Sequence, residues 1–171
     1  IRLRADTIKY RDEVVRNCIF NAQLESGEVT IDQLSAQMPG ATDVALFGFL
    51  TFKNYTPVFK GNVEVQSGDA RSALKWSGLS ISSIPPDRLR KLNFKSNISL
   101  NTKDFRITNA ELIFDSSRVV GNAIFAVQKR LSFGASIIID KLNLDGYFKK
   151  DSAENVGKKK STVKSKKTLS A

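Results

Sequence analysis

Histidine is absent from this chain, and cysteine, methionine and tryptophan occur once each. Without imidazole, Ser-His-Asp and Cys-His nucleophile systems and most zinc sites are excluded. A lone Cys18 cannot form an intrachain disulfide, and it reads as a small buried apolar residue, not a reactive thiol. No GxGxxG, phosphate-binding loop or GxSxG elbow occurs, so no cofactor is expected. Asp32, Glu64, Asp104, Glu111, Asp115 and Asp140 lack the paired or clustered spacing of a metal or glycosidase site, and they read as solvated positions. The expectation is a protein that is not an enzyme. No run approaches the roughly 18 apolar residues of a membrane span, and no signal-peptide pattern is present. Because the chain begins at Ile1, it is expected to be a piece of a longer protein.

Basic residues are plentiful, but unevenly placed. The 171 residues carry a formal charge of +10, of which the segment from Lys149 onward supplies +6. That tail, KKDSAENVGKKKSTVKSKKTLSA, is poor in apolar residues and reads as a disordered Lys/Ser-rich linker over 149–171. The remainder is only mildly basic. Its phenylalanines are not interleaved with Arg or Lys on one face, so nucleic acid is an unlikely partner.

What is present is alternation. With 41% apolar residues the chain can bury a core, and most of residues 1–147 runs apolar-polar with period two between turn residues. This predicts strands near 2–10, 14–25, 28–38, 42–53, 57–66, 92–102, 104–114, 118–128 and 131–140, with a last short one over 142–148. In between, SGDARSALKWSG offers Ser67 or Asp69 as an N-cap, Ala70, Ala73, Leu74 and Trp76 as an apolar face, and Gly78 as a stop. A second short turn is expected from Pro86. Leu74 and Trp76 are expected to pack this helix on one face of the sheet. In SAQMPGATDVALFG, Pro39 and Gly40 fit the second and third positions of a type II turn.

Two halves, about 1–66 and 92–148, resemble each other across the helical segment 67–91. GEVTIDQLSAQM aligns with DFRITNAELIF so that Ile31 falls on Ile107 and Leu34 on Ala110. In both, the apolar phase slips by one residue, which predicts a β-bulge near Gln33 and Asn109. Gly48 then aligns with Gly121 and Gly61 with Gly134, as paired bends. The fold class that follows is mainly β: a curled, twisted antiparallel sheet of repeated meanders with one or two short helices in the middle.

These residues resemble the AsmA family of bacterial envelope proteins. The likeness rests on Gly27, Ile31, Leu34, Ala36, Pro39 and Gly40 in the first stretch, then Gly48 with Leu50, Phe59 with Gly61, and a closing Leu144, Asp145 and Tyr147. Ala41 departs from it, standing where a second glycine is common. The resemblance covers about residues 5–148 and implies a module of a periplasmic protein of a Gram-negative bacterium, attached to the inner membrane by a part not in this sequence. It further implies a hydrophobic β-groove that carries phospholipid between the membranes and supports outer-membrane biogenesis. Its partners would be phospholipid or another acyl-chain lipid, neighbouring repeats of the same chain, and other envelope proteins. By parity, the groove candidates are Leu46, Leu50, Phe52, Val63, Val65, Phe125, Ile137 and Ile139, although the opposite parity also fits. The alternative is a structural or protein-binding β-module without lipid transfer.

Overall fold

A computed structural model describes residues 1–53, 55–127, 130–141 and 147. The strands are β1 (Arg2–Tyr10), β2 (Glu13–Glu25), β3 (Glu28–Met38), β4 (Thr42–Lys53), β5 (Thr56–Ser67), β6 (Leu92–Leu100), β7 (Asp104–Phe114), β8 (Ser117–Val127) and β9 (Leu131–Lys141). They form one sheet of nine strands in sequence order, every neighbouring pair antiparallel. The sheet is curled and does not close on itself. Its strands agree with the alternating pattern to within two residues at each end. The strand expected over 142–148 and the tail from Lys149 lie outside the described residues, except that Tyr147 sits in a turn.

Both expected bulges are present. Pairing of β3 with β4 shifts between Ile31 and Leu34, and pairing of β7 with β8 shifts between Ile107 and Ala110. Each bulge keeps the apolar side chains before and after it on the same face. In β7 the irregularity is marked by Asn109 at φ 52°, whose N–H donates to Asn122 Oδ1 at 2.9 Å. The glycines behave differently in the two halves. Gly48 pairs directly with Gly61, whereas Gly121 pairs with Ile137 and Gly134 with Ile124. The hairpin closes at Lys53↔Thr56 in the first half and at Val127↔Leu131 in the second. The register after the longer second connection differs, so Gly121 and Gly134 fall on opposite faces and do not pair across the strands as Gly48 and Gly61 do.

One helix, α1 (Ala70–Trp76), follows β5. Asp69 caps it, accepting from the Ser72 N–H at 3.3 Å and the Ser72 hydroxyl at 2.6 Å, and Gly78 follows its end at φ +94°. The expected second element is a turn, Arg88 N–H to Pro85 O, with no helix. The helix does not lie on a sheet face, as Leu74 and Trp76 suggested. It docks at the strand ends, because its free polar groups meet the loops there. Asp69 and Gly68 donate their N–H groups to Gly40 and Ala41 carbonyls, and Trp76 Nε1 donates to Tyr10 O at 3.2 Å. Arg71 donates to the carbonyls of Pro85, Ile84 and Ile81, folding the following loop back on the helix.

That loop is held by the β7–β8 turn. The Asp115 carboxylate accepts from the backbone N–H groups of Leu89 and Arg90 at 2.9 Å, of Lys91 at 3.3 Å, and from the Tyr147 hydroxyl at 2.6 Å. The segment 68–91 thus closes one end of the sheet, where the β1–β2, β3–β4 and β7–β8 turns gather. At the other end the sheet finishes in bare turns such as Ser26–Gly27, both at positive φ as a two-residue hairpin favours.

Candidate functional site: an uncovered apolar sheet face

A sheet ordinarily buries its apolar face under a second layer. Among the described residues there is none: the buried apolar side chains are Val15, Ala22 and Ala70 alone. The register assigns every strand side chain to a face. One transverse row runs through paired residues Leu24, Val29, Leu50, Phe59, Leu100, Phe105, Phe125 and Phe133. A second row beside it runs Ala22, Ile31, Gly48, Gly61, Ile98, Ile107, Ala123 and Ala135. Towards the closed end a further row joins Ala36, Val44, Val65, Phe94, Leu112, Val119 and Ile139. Nothing in these rows is charged.

The same face holds the most sheltered strand positions: Ala22, Thr42, Gly48, Ser67, Ser96 and Ser117 are buried, while among the described residues no strand residue of the opposite face is buried. Ala22, Gly48 and Ser96 lie mid-strand with no second layer over them, so their shelter comes from neighbours on the same face of a bent sheet, as the Phe59 ring shelters Gly48. Both bulges and the Gly48–Gly61 pair fall on the second row, and bulged strands bend. They crease the sheet along a line that crosses the strands, with the apolar face inward.

The outer face is polar. Asn62 Nδ2 donates to Asn97 Oδ1 at 2.8 Å and Asn17 Nδ2 to Gln37 Oε1 at 2.7 Å. Glu111 joins Lys95 and Arg118, each at 2.8 Å, and these hydrogen bonds hold its carboxyl below the usual range. Phe47, Phe49, Ile113 and Ile138 interrupt this face, the last 64% exposed. A recess of about 250 Å³ there is lined by Glu64, Gln66, Asn93, Lys95 and Glu111 together with Val65, Phe94 and Ile113.

All eight groove candidates lie on the creased apolar face. Leu46 pairs with Val63, Leu50 and Val65 flank them on the same strands, and Phe52 stands 56% exposed at the open end. Phe125 shares a transverse row with Leu50, and Ile139 shares one with Val65; Ile137 faces Gly121. The two sets are separated by β6 and β7, whose Phe94, Ile98, Phe105 and Leu112 complete the face between them. Sequence parity assigns those four to it as well, through the bulge that restores the phase. Phe105, Phe125 and Phe133 form a ladder, with ring centroids 6.2 and 4.8 Å apart.

The chain matches no protein-family model, no curated protein and no solved structure.

Among the described residues no group of His, Cys, Asp or Glu side chains is placed to hold a metal ion, and no helix is long and apolar enough to cross a membrane. Cys18 is half-buried, somewhat more open than expected, with Sγ 4.0 Å from the Arg16 carbonyl. Asp32, Glu64 and Asp140 are exposed as expected, with Gln23 Nε2 donating to Asp32 at 2.9 Å and Arg118 lying 3.5 Å from Asp140, but Asp104 and Asp115 are more closely held. Asp104 takes Arg106 at 2.9 Å, and its pKa falls through that contact. Asp115 is the anchor of the closing loop; burial pushes its pKa up, yet the Tyr147 hydroxyl and three amides outweigh this and hold it low. No local sequence signal marks that role, because its partners come from 24 to 32 residues away.

Proposed function

We propose that this chain is a non-enzymatic module that holds acyl chains of lipids against its creased apolar face, as part of an AsmA-like periplasmic protein that moves phospholipid between the inner and outer membranes. The observation that carries the reading is a broad apolar face, with three transverse rows of uncharged, mostly apolar side chains in a single layer, on a sheet with a largely polar back. An exposed apolar surface of this extent in water demands an occupant. Strands β2–β8 are hydrogen-bonded on both sides, so an extended peptide lying on this face would leave its own backbone groups unpaired. A hydrocarbon chain has none to satisfy. Each methylene removed from water contributes about 0.8 kcal/mol.

The periplasmic setting, the inner-membrane attachment and the role in outer-membrane biogenesis rest on the resemblance in Gly27–Gly40, Gly48, Leu50, Phe59 and Gly61. Photo-crosslinking side chains placed at Leu50 and at Phe125 test the reading, with Phe49 on the polar face as the comparison. Phospholipid adducts from Leu50 and Phe125, identified by mass spectrometry after expression in a Gram-negative cell, are the expected result. Protein adducts at both positions, with no lipid, would favour a protein-binding module instead.

A further inference from the structure

The crease is not equally open along its length. Its floor is made of small or single branched side chains, but at β4–β5 the two glycines lie beneath an aromatic ring. A β-carbon placed on Gly48 would stand 2.8 Å from Phe59 Cζ, and one on Gly61 2.7 Å from the same atom. Phe59 belongs to the neighbouring row, so its ring leans back over the glycine pair and occupies the space that side chains would fill. On one side of this ring the floor continues over Ile98, Ile107, Ala123 and Ala135; on the other it continues over Ile31 and Ala22.

Resting on the groove reading above, we propose that Phe59 is the specificity-determining residue of the apolar track. It bars the crease between the β2–β3 and β6–β9 sections and so sets the longest single acyl chain that lies flat on the β6–β9 floor. The glycines beneath it serve two purposes. They let the strands bend, and they leave the ring a seat from which it can swing. With Phe59 seated, a chain entering from the β9 edge along Ala135 and Ala123 meets the ring at β5. With the ring displaced, the floor is continuous from β9 to β2.

The test uses the full chain and saturated fatty acids of increasing length, read by displacement of a fluorescent fatty acid. Each methylene that finds floor tightens binding about fourfold, so affinity rises with length and then levels off where the chain meets the barrier. Phe59→Ala and the milder Phe59→Leu are expected to move that levelling point to longer chains, Ala further than Leu. Ala135→Phe, which fills the floor near the edge, is expected to move it to shorter chains. Ser136→Phe, the same enlargement on the polar face, is the control and leaves it unmoved. Phe59 variants that bind fatty acids with the wild-type levelling point would overturn the barrier while leaving the groove reading intact. Absence of fatty-acid binding by the wild-type chain would overturn both.

Discussion

Removing the Asp115 carboxylate should release the segment that closes one end of the sheet. Three backbone N–H groups and one phenol converge on it. The Leu89 bond is part-buried, while those of Arg90 and Lys91 are exposed enough for water to replace them. Hydrogen bonds to a charged acceptor are worth about 1.5–3 kcal/mol when shielded and less when wet, so the four together contribute about 3 kcal/mol. Asp115 also sits at φ 49°, a conformation that costs alanine about 1 kcal/mol and glycine nothing. Asp115→Gly therefore isolates the hydrogen bonds, and Asp115→Ala adds the backbone strain. For a chain of this size the loss corresponds to a fall in Tm of about 6–12 °C for the glycine variant. The single tryptophan, Trp76, lies in α1 within the closing segment, so its fluorescence reports local release while far-ultraviolet circular dichroism reports the sheet. Trp76 emission should change at a lower temperature than the β signal in both variants. An Asp115→Gly protein that melts within 1 °C or so of wild type, with coincident transitions, would refute the assignment.

The same anchor gives the end of the sheet a pH window. Asp115 has a depressed pKa in the folded state, so its contribution is complete above the unfolded carboxylate value of about 3.9 and is lost as pH falls through the lower folded value. Tyr147 is shifted the other way, pushed up to about 12 by burial and by its hydrogen bond to Asp115. Its contribution is complete below pH 10, the unfolded value, and is lost as pH rises towards 12. Loss of the Trp76 signal below pH 4 and above pH 10, with the sheet intact between, is the expected profile.

Two further expectations concern the backbone and the floor of the crease. In the β3–β4 loop Gly40 is at φ +80° and Ala41 at φ +47°, and a β-carbon on Gly40 would stand 2.4 Å from the Asp69 carbonyl oxygen. Gly40→Ala should therefore cost about 3 kcal/mol, through strain and displacement of α1, whereas Ala41→Gly should be neutral or stabilising by up to about 1 kcal/mol; chemical denaturation with unchanged slope checks both, and the reverse order would be fatal to the turn geometry. Ser96 is 4% exposed and its hydroxyl has no hydrogen-bond partner among the described residues. Ser96→Ala is expected to hold or raise stability by about 1 kcal/mol, and a loss beyond 1 kcal/mol by the same assay would mean that the hydroxyl is satisfied.

The strands were legible because alternation is local. In β6, LNFKSNISL, every second side chain turns inward whatever the rest of the fold does. The bulges were legible for the same reason: Ile31 and Leu34, like Ile107 and Ala110, are out of phase by one residue, and only an inserted residue keeps both on one face. The groove candidates shared a face because parity is conserved along each strand and antiparallel pairing transmits it to the next. Gly40 at positive φ followed from Pro39 before it, but Ala41 at positive φ did not, since alanine carries no signal for that conformation.

By itself, then, the sequence determined an all-β meander with an apolar side, a polar side, and two matched defects that bend it. Tertiary structure decided the rest, because each remaining feature depends on which distant groups meet. The helix went to the strand ends because the Gly40, Ala41 and Tyr10 carbonyls accept its hydrogen bonds there. Asp115 became an anchor because the returning chain presents three amides to it. Gly121 and Gly134 do not pair as Gly48 and Gly61 do because the second hairpin closes in a different register, and register has no local signature. Phe59 came to lie over Gly48 and Gly61 because pairing brought the two glycines opposite each other, with no side chain on either to hold the ring away.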